Sequence, residues 1–237
     1  MRKLAIFGWL LVPVMAGAYH YGPGQDRLLL DDAARLLDDA DAFAVNGRHD
    51  KAVASYDQAL AKLPTGQLAE ARRIRLERAK ALMLDHMLPE ANADLKAIVD
   101  ELQQDKGSDA KLLTDARASL AGSQYYMTWI MKLEGLGREE WEPEIESSRQ
   151  LYKMLAEQAD EEGNEDSAKE RREDVESAIR LARMDPGELQ GKAIPKQCQG
   201  CKSGQCKKPG RKPSKSQSKP KDARGASSGP PPDNSGS

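Results

Sequence analysis

The sequence contains few aromatic residues, few histidines and few cysteines. Aromatic side chains make up 5% of the 237 residues, and the mean hydropathy is −0.70. Large apolar side chains form most of a dense core, so this composition excludes such a core along the whole chain. The three histidines lie far apart, at positions 20, 49 and 86, and the three cysteines are too few for a disulfide framework.

No grouping of a nucleophile with a base, and no complete set of metal ligands, is recognisable along the chain. Tetrahedral zinc requires four ligands, and the cysteines supply three without a histidine nearby. We therefore expect a protein that is not an enzyme and that needs no cofactor.

One long uncharged run is present, at the N-terminus. Residues 4–18 carry no charge, follow Met1-Arg2-Lys3 and end in Ala16-Gly17-Ala18, which is typical of a cleaved export signal. The run is shorter than the roughly 20 residues that span a bilayer, yet an uncleaved anchor extended by flanking aromatic residues is the alternative. Residues 1–18 are thus predicted to be a signal peptide or an N-terminal membrane anchor. Both interpretations place the remaining chain outside the cytoplasm, as a periplasmic or membrane-tethered body.

The C-terminal part of the chain is basic and rich in Pro, Gly and Ser. Residues 191–237 contain eleven Lys or Arg against two Asp, a net charge of +9, which leaves −11 for residues 1–190 of the total of −2. Such a composition cannot bury enough apolar surface to fold, and it predicts a disordered tail over 191–237. The near-neutral total therefore conceals an acidic body with a basic tail.

Apolar positions three and four apart predict an all-α body over residues 25–185. Gly, Asn and Pro residues interrupt this pattern and divide it into about seven helices. Short connections favour antiparallel neighbours, so we expect three helical hairpins and a final capping helix, arranged as a short irregular α-solenoid. The predicted helices lie at about 26–46, 49–62, 66–86, 89–105, 109–134, 139–162 and 165–184.

Small and bulky residues repeat with a shift of 39 positions. Ala40, Phe43, Ala52, Tyr56 and Ala59 correspond to Ala79, Leu82, Ala91, Leu95 and Ile98, and a third unit keeps Ser148, Tyr152 and Leu155. This pattern resembles the tetratricopeptide repeat over residues 33–66 and, less closely, 72–105. The sequence from Tyr125 to Pro143 also resembles exported helical-repeat proteins of bacteria, a likeness that implies no activity.

The repeat resemblance implies a binding groove on the concave face, formed by the first helix of each hairpin. Its lining would be a mixture of basic and apolar groups suited to an acidic or amphipathic segment of a protein or peptide partner. We therefore expect a protein-interaction module or scaffold in the bacterial cell envelope. The predicted groove residues are Leu37, Asp41, Ala44, Arg73, Leu76, Lys80 and Met83.

The three cysteines offer an alternative function. Cys198, Cys201 and Cys206 lie close together in the tail, where the nearby lysines would lower the thiol pKa values. In an oxidising compartment one disulfide and one spare thiol is the simplest outcome. A thiol-dependent metal-binding or redox protein is the competing prediction.

The basic tail has several candidate ligands. Its cations suit anionic lipid, an anionic envelope polymer, nucleic acid or the acidic body of the same molecule. No aromatic residue follows Tyr152, so base stacking is unsupported and no specific nucleic-acid binding is expected. A purely solubilising tail is the simplest alternative.

Overall fold

The computed structural model describes residues 23–203, together with the isolated positions 9, 12, 13, 15 and 17. The described part of the chain is all-helical, which confirms the predicted fold class. Its helices, numbered in chain order, are α1 (Pro23–Val45), α2 (His49–Lys62), α3 (Leu68–Leu84), α4 (Leu88–Gln104), α5 (Ala110–Leu133), α6 (Arg138–Glu161), α7 (Glu165–Arg183) and α8 (Pro186–Gln190), followed by a 3₁₀ turn at Lys196–Cys198.

The seven helices expected from the sequence correspond to α1–α7, with ends that differ by at most three residues. Apart from the isolated positions, the predicted export segment at 1–18 lies outside the described residues, as does the predicted tail from residue 204 onward. Among the described residues, no helix is long and apolar enough to cross a membrane.

Each of the helices α1–α6 packs against the next one in the chain, and α5 has additional neighbours. Besides α4 and α6, helix α5 contacts α3, α8 and the 3₁₀ turn. The main core cluster accordingly draws its side chains from α3, α4 and α5, and it continues into α7, α8 and the 3₁₀ turn. A smaller cluster joins α1, α2 and α3. Helix α5 is thus the central element of the described body.

Most of the positions paired by the 39-residue shift are buried. The four alanines at the paired small positions have no exposed surface, and Tyr56 and Leu95 are 3% and 0% exposed. Phe43 is only half-buried, and the guanidinium of Arg48 covers its ring at 4.7 Å from the ring centroid. In the third unit Ser148, Tyr152 and Leu155 are buried as well. The four fully buried alanines at the paired small positions are Ala40, Ala52, Ala79 and Ala91.

The turns that end α1 and α3 share one backbone geometry, although their residues differ. Gly47 has a φ of +70° and His86 a φ of +64°. In each turn the following N–H donates to a carbonyl five residues back, from Arg48 to Phe43 and from Met87 to Leu82, with N···O distances of 2.9 Å. This is a left-handed helix end, which glycine adopts without strain and histidine does not.

Replacing His86 by glycine is expected to stabilise the protein by about 1 kcal/mol, because the left-handed conformation is strained for any residue with a Cβ. Chemical denaturation monitored by circular dichroism measures the change in the free energy of unfolding. The converse substitution, Gly47→His, should destabilise by a similar amount. A loss of stability in His86→Gly would show that packing of the imidazole against Gly200 outweighs the strain.

A buried lysine of α5 holds the C-terminal end of α7. The Lys132 side chain donates hydrogen bonds from Nζ to the carbonyl oxygens of Leu181 at 2.8 Å and Ala182 at 3.1 Å. Its ammonium also lies 4.1 Å from the centroid of the Trp141 ring. Burial lowers the Lys132 pKa. The last carbonyls of a helix have no partner within the helix, so Lys132 caps α7 and ties it to α5 and α6.

The start of the tail and the position of Pro143 differ from a simple reading of the sequence. The disordered tail was expected to begin at residue 191, but residues 191–203 pack against the body, with Cys198 5% exposed in the main core cluster. The burial of Leu189 in α8 and of Cys198 holds this segment in place. Pro143 lies in the second turn of α6, which begins at Arg138, and removes one helical N–H donor.

Candidate binding groove

Four of the seven predicted groove residues line one cavity, together with residues of α5. The cavity has a volume of about 290 Å³ and lies where side chains of α1, α2, α3 and the beginning of α5 meet. Leu37 and Asp41 come from α1, and Arg73 and Leu76 from α3. The other lining residues are Tyr56, Glu70, Ile74, Glu77, Asp109, Lys111, Leu112 and Asp115.

The other three predicted groove residues are not part of this lining. Ala44 is half-buried near the end of α1, and Met83 is buried in the main core cluster. Lys80 is half-buried and donates to Glu77 at 2.8 Å. The prediction therefore included residues closer to the C-terminal ends of α1 and α3 than the cavity, which is lined by Leu37 and Asp41 of α1 and by residues 70–77 of α3.

The floor of the cavity is apolar and fixed. Ile74 and Leu76 are 2% and 1% exposed, and Leu112 is 9% exposed. The buried Tyr56 hydroxyl donates to Asp41 Oδ1 at 2.7 Å and so orients that carboxylate at the cavity wall. Burial, and then the hydrogen bond to Asp41, raise the pKa of Tyr56, so this hydroxyl remains a donor at neutral pH.

The cavity wall is acidic, in contrast to the mixture of basic and apolar groups expected from the sequence. Five carboxylates line it against two cations, a surplus of three negative charges. Some of this charge is locally compensated, since Glu77 pairs with Lys80. Asp115 forms no ion pair with any described residue. The carboxylates belong to Asp41, Glu70, Glu77, Asp109 and Asp115, and the cations to Arg73 and Lys111.

The cavity is acidic because the other arginines of α3 are engaged elsewhere. Arg72 pairs with Asp105 at 2.6 Å, and Arg75 pairs with Glu101 at 2.7 Å, both on α4. Arg78 joins Asp57 of α2 and Asp94 of α4. These pairs fasten α3 to its two neighbours, so their positive charges are already paired outside the cavity.

The cysteine cluster does not show the features of a reactive site. Cys198 and Cys201 are free thiols, and Cys206 lies outside the described residues. The Cys198 thiol donates to the Tyr126 carbonyl, and that of Cys201 to the Gln197 carbonyl. Burial raises the pKa of Cys198 to about 12 and also raises that of Cys201, which corrects the expectation of lowered values. A neutral thiol is a poor nucleophile and a poor metal ligand.

No group of three or more His, Cys, Asp or Glu side chains suited to a metal ion occurs within the described part of the chain. The acidic cavity is consequently the site on which a function can be argued. Comparisons of the chain with protein-family models, with curated proteins and with solved structures found no match.

Proposed function

We propose that this protein is a non-enzymatic interaction module that binds a positively charged, extended segment of a protein partner in the cavity between α1, α3 and α5. The acidic wall above an apolar floor is the observation that carries this proposal. It changes the expected ligand from an acidic or amphipathic segment to a basic one, because unlike charges attract across a partly dehydrated surface.

The proposed architecture is a short irregular solenoid of antiparallel hairpins, similar to tetratricopeptide repeats. Consecutive packing of α1 to α7 supports it, as do the buried repeat positions and the matching turns at Gly47 and His86. In such a stack the first helices of the hairpins, here α1, α3 and α5, form the concave face. The cavity is lined mainly by these three helices.

The size of the cavity limits what it holds. Sites for small molecules usually measure about 300 to 1,000 Å³, so a cavity of about 290 Å³ accommodates one or two side chains of a peptide. A Lys or Arg side chain fits this chemistry, with its aliphatic stem on Leu37 and Leu76 and its charged head among the carboxylates. Exposed ion pairs contribute about 0.2–1 kcal/mol each, so we expect weak, salt-sensitive binding.

We further propose that the body acts outside the cytoplasm, in the bacterial cell envelope. The basis is the sequence of residues 1–18, which has the basic start, apolar stretch and small-residue end of an export signal.

Binding in the cavity is tested by removing negative charges from its wall in the full-length protein. The triple variant Asp41→Asn, Glu77→Gln, Asp115→Asn should bind a fluorescent peptide of alternating Lys and Ser about tenfold more weakly than the wild type, since three lost pairs of about 0.5 kcal/mol each amount to one factor of ten. Fluorescence anisotropy at low salt measures the affinity.

The matched control replaces three exposed carboxylates outside the cavity: Asp50→Asn, Asp100→Asn and Glu165→Gln. This variant has the same net charge as the groove variant and should bind within twofold of the wild type. If both variants bind the peptide equally weakly, the overall charge of the protein and not the cavity determines the affinity. Preferential binding of a Glu–Ser peptide would overturn the proposal.

A further inference from the structure

We infer that the chain's own basic segment, residues 207–221, docks in this acidic cavity and competes there with external ligands. The inference rests on the proposed function, because it requires that the cavity accept basic segments. It adds a regulatory property, in which the protein occupies its own groove until a stronger ligand displaces the segment.

Charge complementarity is the first observation. The segment contains seven Lys or Arg and no Asp or Glu, whereas the cavity wall has three more carboxylates than cations. Arg72, Arg75 and Arg78 of α3 are paired outside the cavity, so among the α3 arginines Arg73 is the one that lines it, paired with Glu70. A cationic segment is the feature of this chain that supplies the missing charge.

The second observation is the place where the described chain ends. Ser203 is 4% exposed, and its N–H donates to Glu134 Oε1 at 3.1 Å, just beyond the end of α5. The cavity lies near the other end of the same helix, at Asp109, Lys111 and Asp115. From Asp115 to Glu134 the helix rises about 29 Å, at roughly 1.5 Å per residue.

The chain beyond Ser203 is long enough to cover this distance. At about 3.3 Å per residue, nine residues span about 30 Å, so residues 204–212 can reach from Glu134 to the cavity. Tethering raises the effective concentration of a segment to the order of 1 mM. An intrinsic dissociation constant of about 1 mM, or about −4.1 kcal/mol, would therefore give half occupancy. A few exposed ion pairs supply part of this free energy, and burial of the aliphatic stems of the Lys side chains supplies the rest.

Zero-length crosslinking of the full-length protein tests the docking directly. A carbodiimide joins Lys amines to carboxylates in contact with them, and mass spectrometry of the digested monomer identifies the pairs. We expect links from Lys212, Lys215, Lys219 and Lys221 to Asp41, Glu77 and Asp115, and their loss at about 0.5 M salt. Lys207 and Lys208 lie on the stretch that spans the distance to the cavity and are not expected to form these links. Links spread equally over exposed acidic residues of α7, such as Glu165 and Glu170, would overturn the inference.

A mixture of ¹⁵N-labelled and unlabelled protein distinguishes docking within one molecule from docking between two. Crosslinked peptides should carry both halves from the same isotope pool. Frequent mixed pairs would show that the segment binds a second copy, which contradicts the inference.

Competition gives the second measurement. The full-length variant in which the seven cations become Gln should bind the Lys–Ser probe about twofold more tightly than the wild type, because half occupancy by the segment halves the apparent affinity. Combining these substitutions with the triple groove variant in one chain should abolish that gain. The substituted residues are Lys207, Lys208, Arg211, Lys212, Lys215, Lys219 and Lys221.

The outcomes separate the two proposals. If neither the wild type nor the charge-neutral tail variant binds the probe, the proposed function fails. If the wild type and the tail variant bind the probe equally and no crosslinks join the segment to the cavity, the proposed function is retained and the docking of the chain's own segment is wrong. A third outcome is that the wild type, but not the tail variant, sediments with phosphatidylglycerol vesicles while no crosslinks join the segment to the cavity. This result would show that the segment binds lipid instead.

Discussion

Replacing Lys132 by alanine is expected to lower the free energy of unfolding by about 3 kcal/mol. The substitution leaves the carbonyls of Leu181 and Ala182 without their buried donor and removes the contact with the Trp141 ring. Hydrogen bonds from a charged donor contribute about 1.5–3 kcal/mol, and a cation over an aromatic ring adds about 0.5–2 kcal/mol. The cost of burying the ammonium, visible in the lowered Lys132 pKa, offsets part of this sum. Urea denaturation followed by far-UV circular dichroism measures the loss.

Two further variants separate capping from packing. Lys132→Met keeps most of the side-chain volume, so it should still cost about 2 kcal/mol if the hydrogen bonds to α7 matter. Lys153→Ala, at an exposed position of α6, should change stability by less than about 0.5 kcal/mol. If Lys132→Met is as stable as the wild type, the free energy that the ammonium gains from its partners does not exceed the free energy that it loses by burial.

Replacing Leu95 by alanine is expected to cost about 3 kcal/mol. Leu95 has no exposed surface and belongs to the main core cluster, where the removed atoms leave a cavity that the surrounding helices cannot fill. Leucine-to-alanine substitutions at such sites cost about 2–5 kcal/mol. The midpoint of thermal unfolding should fall accordingly, by several degrees in a calorimetric scan.

Leu68 provides the matched control, since it is 65% exposed at the start of α3. Leu68→Ala removes the same atoms and should shift stability by less than about 0.5 kcal/mol. Equal effects of the two substitutions would contradict the central position assigned to Leu95 in the repeat pattern.

The helices could be predicted because their sequence signals are local. Breaks such as Asn46-Gly47 coincide with helix ends, and the spacing of Ala40, Ala52 and Tyr56 correctly identified buried positions. The turn at His86 was harder to predict. Histidine does not favour a left-handed backbone, and the packing of α3 and α4 imposes that conformation on it. Its position in the 39-residue shift, opposite Gly47, was the available signal.

The binding groove could be predicted only in part. The repeat pattern placed Leu37, Asp41, Arg73 and Leu76 on the face that forms the cavity. The sign of the charge was missed because Glu70 and Glu77 of α3 were not among the predicted groove residues. Together with Asp41 they outnumber Arg73, and the residues at the beginning of α5 add one further negative charge. Nor does a sequence reveal which arginines of α3 are already paired with α2 and α4.

The segment at 191–203 was missed for a compositional reason. Lysine, glycine, glutamine and proline make up eight of its thirteen residues, and the residues that dock it, Leu189 and Cys198, stand singly rather than in a periodic pattern. Predictions based on periodicity detect faces of helices, whereas this segment is held by isolated apolar contacts.

The central position of α5 has a consequence for how the protein is made. Synthesis proceeds from the N-terminus, so α5 leaves the ribosome before the residues that cover it, including Leu189 and Cys198, have been added. Until residue 198 emerges, an apolar face of α5 stays open to chaperones and proteases. A chain interrupted before residue 198 therefore lacks side chains that cover the core around α5, and its exposed apolar surface would make it more prone to degradation than the full body.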